Sequence, residues 1–109
     1  MKAGTLEVLN RLSETLAARR NADPSTSYTA SLFAKGPDAI LKKIGEESAE
    51  LIMAAKDGKR LTIVNEATDV VYHIMVLMAF FDMSVDDILQ ELHRREGISG
   101  IDEKRARKA

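Results

Sequence analysis

Five carboxylate side chains lie in one apolar stretch of the chain and carry its clearest chemical signal. They are Glu46, Glu47, Glu50, Glu66 and Asp69. Glu47 and Glu50 are three residues apart, as are Glu66 and Asp69, and side chains at that spacing project from one face of a helix. Clustered carboxylates repel one another and are costly to bury unless a cation neutralises them. If the two pairs meet, three or four carboxylates form an oxygen site for a hard divalent cation, Mg²⁺ or Mn²⁺.

Four stretches with helical periodicity must position these side chains, and strand patterns are missing. The predicted helices cover about residues 5–20, 37–57, 61–81 and 84–95. In the first, Leu6, Leu9, Leu12 and Leu16 recur at helical spacing. Gly58 suits the C-terminal cap of the second helix. The pattern therefore predicts an all-α chain.

The segments outside these helices are polar. Residues 23–37 are rich in Ser and Thr and bounded by prolines, so we expect a loop with room for one short helical turn. Ser84 and Asp87 resemble a capping box at the start of the fourth helix. Residues 98–109 are expected to form a polar tail that is mobile by itself. No internal repeat or linker divides the chain, so residues 1–109 are expected to form one domain.

Composition excludes several classes of protein. The chain has 109 residues and no cysteine, which excludes a disulfide scaffold and thiol chemistry. Sixteen basic residues nearly cancel 17 acidic ones, so charge does not favour nucleic acid or an anionic membrane as a partner. The N-terminus has no apolar signal-peptide core, and the longest apolar run is short of the ~20 residues that span a bilayer. A cytoplasmic protein is expected.

Glu47 lies near the middle of an apolar stripe, where a core-facing helix should carry no charge. The stripe consists of Ile40, Ile44, Leu51, Ala54 and Ala55. Glu50 falls at its edge beside Lys43, and Glu46 is turned further toward solvent. An acidic pair on a helix is usually a solvated face, and that interpretation suits Glu46 alone. For Glu47 it fails, so metal binding is the better interpretation.

The second and third predicted helices are joined by about residues 57–61. So short a connection is expected to pack them antiparallel and to bring the acidic pairs together. His73 continues the acidic line of the third helix, where a lone histidine is more often a core or interface residue than a ligand. By position alone, Lys43 and Lys56 are compatible with ordinary surface lysines.

The acidic segments have the forms E-E-x-x-E and E-x-x-D, which resemble the signature of the all-α, MazG-like nucleoside triphosphate pyrophosphatases. Five segments, which cover nearly the whole chain, more narrowly resemble the phosphoribosyl-ATP pyrophosphatases of histidine biosynthesis. They are S-Y-T (27–29), K-I-G-E-E-S-A-E (43–50), A-A-K (54–56), E-A-T-D-V-V-Y-H (66–73) and S-G-I-D-E-K-R-A-R (99–107). The tail departs from the E-K-A-S-R usual in that family, so Arg105 and Ala106 receive no role.

The resemblance implies a dimeric all-α bundle of four to five helices that hydrolyses phosphoribosyl-ATP with Mg²⁺ or Mn²⁺. It implies that the metal ligands are Glu47, Glu50, Glu66 and Asp69. Glu46 and Glu47 are the implied catalytic carboxylates, and whether Glu46 activates water or binds metal is left open. The implied substrate-binding residues are Lys43, Lys56, Ser27, Tyr28, Thr29, His73, Lys104 and Arg107. For the last two, a solvated tail is an equally good interpretation.

Partners and alternatives complete the expectations. The third helix is apolar on most of its surface after Val70, which predicts a second subunit and thus a homodimer. A housecleaning nucleoside triphosphate pyrophosphatase would share the metal site without the S-Y-T segment and the tail. A di-iron bundle would need Glu-x-x-His, which the chain replaces with Glu-x-x-Glu and Glu-x-x-Asp. A non-catalytic helical module would show neither metal binding nor turnover.

Overall fold

The computed structural model describes the backbone of residues 3–108 and the side chains of residues 7–107, and this part of the chain contains no strand. Its helices are α1 (Ala3–Arg19), α2 (Tyr28–Lys35), α3 (Pro37–Asp57), α4 (Arg60–Phe80), α5 (Val85–Arg94) and α6 (Gly100–Lys108). The predicted all-α class is confirmed. Six helices occur in the described residues instead of four to five, because α2 and α6 lie where a loop and a tail were predicted.

The prediction of a loop over residues 23–37 was wrong for its second half, which forms α2. Ser27 caps this helix, because its hydroxyl accepts a hydrogen bond from the backbone N–H of Ala30. Gly36 separates α2 from α3 with a φ of 94°, a conformation that favours glycine. The serine and threonine content that indicated a loop thus includes the cap of a helix.

The prediction of an unstructured tail was also wrong, since residues 100–108 form α6. Ser99 begins this helix, with its hydroxyl accepting from the N–H of Asp102 at 3.1 Å. The carboxylate of Glu103 is buried and lies 2.7 Å from the guanidinium of Arg94 in α5. An ion pair therefore joins the tail helix to α5.

Helices α3 and α4 form an antiparallel hairpin, as predicted from the short connection between them. Only Gly58 and Lys59 separate the two helices, which pack against each other along their length. Gly58 caps α3 in the left-handed conformation, with a φ of 68°. Because the hairpin turns at Gly58, Glu47 faces Asp69 and Glu50 faces Glu66.

The hydrophobic core draws on five helices. Its buried members are Leu16 of α1, Leu32 of α2, Ile40 of α3, Met75, Val76 and Ala79 of α4, and Val85 of α5. Leu9 and Leu12 pack against it, as their helical spacing predicted, while the side chain of Leu6 lies outside the described residues. This core fixes α2, α3 and α4 relative to one another, and these three helices carry most of the predicted site residues.

Helix α4 is long and apolar enough to cross a membrane by length and composition alone, a test that core helices of soluble proteins also pass. Only 22% of its most apolar window is buried. Met75, Val76 and Ala79 are buried by the chain's own helices. The most exposed apolar residues of α4 are Leu61 (76%) and Val64 (59%), which lie before Val70, so much of the uncovered apolar surface is at the opposite end from the one predicted.

Candidate active site

The α3–α4 hairpin brings the two acidic pairs together. One oxygen each of Glu47, Glu66 and Asp69 lie within 4.8 Å of one another. Glu50 joins the group, because its carboxyl raises the pKa of Glu66. We call these four residues the acid cluster.

Two oxygens of the acid cluster indicate how it would be neutralised. Oε2 of Glu47 and Oε2 of Glu66 are buried and find no hydrogen-bond partner among the side chains and backbone groups that the structure describes. An unpartnered buried carboxylate oxygen is unfavourable unless a cation or hydrogen-bond donor occupies the space beside it. The donor set is entirely carboxylate oxygen, which suits Mg²⁺ or Mn²⁺. The residues present therefore fit a hard divalent cation.

Glu47 is held from behind by a buried histidine. It is 8% exposed, and its Oε1 lies 3.0 Å from Nδ1 of His73, which is 5% exposed. The same nitrogen donates a hydrogen bond to the backbone carbonyl of Asp69 at 2.9 Å. Nε2 of His73 lies 2.8 Å from the hydroxyl of Tyr28. Glu47 can therefore occupy the apolar stripe, as the sequence predicted, because a polar network surrounds its carboxylate there.

The S-Y-T segment forms the wall of this network. Ser27 is the buried cap of α2, and the buried hydroxyl of Thr29 is hydrogen-bonded to the hydroxyl of Tyr72. Tyr28 is about half exposed, and burial raises the pKa of its phenol, which keeps it protonated at neutral pH. Two hydrogen bonds therefore connect the start of α2 to Tyr72 and His73 of α4.

Burial and mutual repulsion both favour protonation within the acid cluster. Burial is the main cause that raises the pKa of Glu47; Asp69 adds to it, while His73 opposes it. The pKa of Glu66 is raised first by its hydrogen bond with Glu50 and then by desolvation. In the absence of a cation, both carboxyls therefore hold protons more tightly than ordinary glutamates do.

We expect the metal-free protein to become less stable as pH rises. Because the folded-state pKa values of Glu47 and Glu66 lie above their ordinary value of 4.5, their stabilising contribution is complete below that pH. It is lost as pH rises through the folded-state values. Thermal melts in a chelator from about pH 5 to pH 7.5 should show a falling Tm, and Mg²⁺ should flatten the trend. A Tm that is constant or rises with pH in chelator would contradict a repelling cluster.

A cavity lined by lysines lies next to the acid cluster. It has a volume of about 340 Å³, and its lining includes Lys35, Lys42, Lys43, Tyr28 and Glu46. We call it the lysine cavity. Tyr28 joins it to the acid cluster through His73. Positive charge therefore lies beside the carboxylates, an arrangement that suits an anionic ligand held against a bound cation.

The structure brings most of the predicted site residues together, with three exceptions. Lys56 is exposed in the last turn of α3, roughly 13 Å along the helix from Glu47. Lys104 is exposed on α6, and Arg107 lies 3.8 Å from Glu103 of the same helix. Lys56, at the end of α3, and Lys104 and Arg107, on α6, therefore lie outside the group of residues around the acid cluster.

Sequence reasoning missed Lys35 and Lys42 of the lysine cavity. Lys35 lies in the last turn of α2, a helix that was not predicted, and Lys42 pairs with the exposed Glu46 at 4.0 Å. Their signal is the basic pair Lys42-Lys43 one helical turn before the E-E-x-x-E segment. This basic pair can be recognised as part of a cavity only once α2 is known to pack across α3.

The fold and the site together define an all-α protein that carries a carboxylate site suited to a cation on a helical hairpin and a lysine-lined cavity suited to an anion beside it. The family described as Phosphoribosyl-ATP pyrophosphohydrolase matches residues 9–96, and the chain belongs to this family.

Proteins named phosphoribosyl-ATP pyrophosphatase are similar over nearly their whole length. The one from Dechloromonas aromatica (strain RCB) is 70% identical over 103 residues, which cover 94% of this chain and 95% of the relative. The one from Azoarcus sp. (strain BH72) is 60% identical over 103 residues, which cover 94% and 96%. The resemblance drawn from the sequence motifs is confirmed.

Proposed function

We infer that this chain hydrolyses phosphoribosyl-ATP to phosphoribosyl-AMP and pyrophosphate, the second step of histidine biosynthesis. The observation that carries the inference is the convergence of Glu47, Glu66 and Asp69 on one hairpin in a chain of the phosphoribosyl-ATP pyrophosphohydrolase family. Water attacks the α phosphorus, a new P–O bond forms, and the bond from that phosphorus to the bridging oxygen breaks. The pyrophosphate leaves, and one proton of the water passes to a base.

The acid cluster is our proposed metal site, with Glu47, Glu50, Glu66 and Asp69 as ligands. Its unpartnered oxygens on Glu47 and Glu66 support this proposal. A bound Mg²⁺ or Mn²⁺ would supply positive charge to the triphosphate and its leaving group. The hairpin holds the carboxylates in place before substrate arrives, which reduces the reorganisation needed during the reaction.

The lysine cavity is our proposed site for substrate phosphates, with Lys43 supported by Lys35 and Lys42. Charge-assisted hydrogen bonds from ammonium groups to phosphate are among the stronger polar interactions in proteins. Glu46 lines the same cavity and is exposed, so it is our candidate for the base that accepts the proton of the attacking water. Tyr28 is the candidate substrate contact between the cavity and the cluster.

A pyrophosphate-release assay tests the function directly. We expect rapid release from phosphoribosyl-ATP with Mg²⁺ and almost none with a chelator. ATP and other ordinary nucleoside triphosphates serve as comparison substrates. Faster turnover of those triphosphates would instead favour a housecleaning pyrophosphatase, and no turnover with any metal would favour a non-catalytic helical module.

We propose that a second copy of the chain covers the exposed apolar face of the hairpin. On α4 the exposed residues Leu61, Val64, Thr68 and Val71 recur at the spacing of one helical stripe. Ile52 of α3 is 61% exposed as well. At 100° per residue the stripe is centred about 180° from Glu66 around α4, so the proposed dimer contact lies on the face of α4 that points away from the acid cluster.

Val64→Glu is expected to convert the dimer into monomers, since it places a charge in the middle of the stripe. Sedimentation velocity measures the change. Val8→Glu is the matched control, because Val8 is also exposed and lies on α1. A wild-type protein that sediments as a monomer at micromolar concentration would refute the proposed dimer, and an equal effect of both variants would assign the loss to general destabilisation.

We further propose that residues 1–109 act as one cytoplasmic domain, with phosphoribosyl-ATP as ligand and neither nucleic acid nor membrane as partner. The shared core of five helices and the near balance of 16 basic and 17 acidic residues support this proposal. The exposed apolar surface of α4 is then covered by protein. The check is whether the untagged protein stays in the supernatant after high-speed centrifugation of lysed cells.

A further inference from the structure

The buried histidine behind Glu47 has a role that the proposed function does not use. We propose that His73 is a positioning residue, whose Nδ1–H holds the Glu47 carboxylate so that its second oxygen stays free for a cation. The inference rests on the proposed metal site and adds the group that sets its geometry. It differs from the expectation, drawn from family resemblance, that His73 binds substrate.

The neighbours of the imidazole decide which nitrogen carries its proton. Nδ1 faces two acceptors, the carbonyl oxygen of Asp69 at 2.9 Å and Oε1 of Glu47 at 3.0 Å. Only a protonated Nδ1 is compatible with both. On the other side of the ring, Nε2 lies 2.8 Å from the Tyr28 hydroxyl, which can donate to it. The network therefore selects the Nδ1–H form of His73.

This arrangement ties the two sides of the hairpin together at the acid cluster. Glu47 lies on α3. His73 and the carbonyl of Asp69 both lie on α4, one helical turn from each other. The imidazole occupies Oε1 of Glu47 and leaves Oε2 without a partner among the described groups. A carboxylate that is already held through one oxygen loses less conformational freedom when its other oxygen binds a cation. Loss of such a support typically weakens metal affinity by ~10- to 100-fold.

The S-Y-T segment then has a physical role beyond contact with substrate. From α2, the hydroxyl of Tyr28 lies within hydrogen-bond distance of Nε2 of His73, and the hydrogen bond between Thr29 and Tyr72 fixes α2 next to it. His73 packs edge-on against both tyrosine rings, with ring centroids 5.9 Å from Tyr28 and 5.5 Å from Tyr72. The imidazole is thus held on three sides, as a positioning group should be.

Two replacements of His73 separate positioning from simple packing. His73→Asn keeps an N–H donor near the place of Nδ1, while His73→Leu fills similar space without a donor. Mn²⁺ affinity of the full-length protein, measured by calorimetry without substrate, should fall roughly tenfold for His73→Leu and much less for His73→Asn. His93→Leu is the matched control, because His93 is the other histidine of the chain and is exposed.

Kinetics of the same variants distinguish the competing roles. At saturating Mg²⁺ we expect His73→Leu to lower kcat with little change in KM for phosphoribosyl-ATP. A raised KM with wild-type Mn²⁺ affinity would overturn positioning in favour of substrate binding. A lowered Tm with wild-type affinity and kcat would overturn it in favour of packing. If wild-type protein binds no Mn²⁺, the metal site of the proposed function fails, and this inference fails with it.

The protonated nitrogen provides a test that needs neither metal nor substrate. Ring ¹⁵N chemical shifts of His73 should report the Nδ1–H form in wild-type protein at neutral pH. Tyr28→Phe removes the donor to Nε2 but leaves both acceptors at Nδ1, so the Nδ1–H form should persist, with Mn²⁺ affinity reduced by less than in His73→Leu. A wild-type ring protonated on Nε2 alone would overturn the inference.

Discussion

Glu47→Gln is expected to reduce turnover of phosphoribosyl-ATP by at least about a hundredfold, a loss of ~2.7 kcal/mol of transition-state stabilisation. The substitution keeps the shape of the side chain but replaces its anionic oxygen by an amide, which cannot serve as a strong ligand for Mg²⁺. Affinity for Mn²⁺ should fall in parallel. Steady-state kinetics and calorimetry measure the two effects.

The same substitution should not unfold the metal-free protein. Burial raises the pKa of Glu47, so removal of its charge relieves a cost that the folded state bears at neutral pH. The Tm in chelator is expected to equal or exceed that of the wild type, and its fall with rising pH should be weaker. Glu14→Gln is the control, since Glu14 is exposed on α1. Turnover within about threefold of wild type, less than ~0.7 kcal/mol, would remove Glu47 from the metal site.

The α3–α4 hairpin could be predicted from sequence because each of its determinants is local. The apolar stripe around Glu47, the two-residue connection and the cap at Gly58 all act within a few residues of chain. From these the antiparallel arrangement follows, and the meeting of two acidic pairs follows from the arrangement. The burial of Glu47 was predicted for the same reason, since its place in the stripe is a property of one helix.

Helices α2 and α6 were missed because their stability depends on contacts with distant residues. Tyr28 and Thr29 at the start of α2 are hydrogen-bonded to α4, and the side chain of Leu32 is buried in the common core. The α6 helix has few apolar residues and is joined to α5 by the pair of Glu103 with Arg94. Periodicity carries no information on either kind of contact.

The role of His73 illustrates the same limit at the site. Sequence placed it in line with the acidic residues of α4, and the general expectation for such a histidine was a core or interface residue. The structure shows a buried side chain, in agreement with that expectation, but one whose nitrogens contact Glu47 and Tyr28 from two other helices. Which nitrogen carries the proton depends on those contacts, so spacing along one helix could not predict it.

Removal of residues 101–109 is expected to lower kcat/KM for phosphoribosyl-ATP by about tenfold to a hundredfold, while activity on ATP changes much less. Phosphoribosyl-ATP carries a phosphate that ATP lacks, and the basic residues Lys104 and Arg107 of α6 are candidates to bind it. A charge-assisted phosphate contact contributes roughly 1.5–3 kcal/mol. The truncation should leave the core intact, because its buried members come from α1 to α5.

The ion pairs of the tail support a clean design for this test. Arg94 loses Glu103 on truncation but keeps Glu91, whose carboxylate lies 2.7 Å away. Lys104→Ala combined with Arg107→Ala removes both candidate phosphate contacts without removing the helix, and Arg105→Ala is the matched control for a lost positive charge on α6. Steady-state kinetics on phosphoribosyl-ATP and ATP then separate three cases.

A selective loss on phosphoribosyl-ATP in the double variant, absent from Arg105→Ala, is the expected result. Equal losses on both substrates would show that α6 supports the fold or the dimer. Unchanged kinetics would make it a solvated helix and leave the second phosphate to the lysine cavity. In that case Lys35→Ala and Lys42→Ala should reduce the selectivity instead, because these two side chains line the same cavity as Lys43.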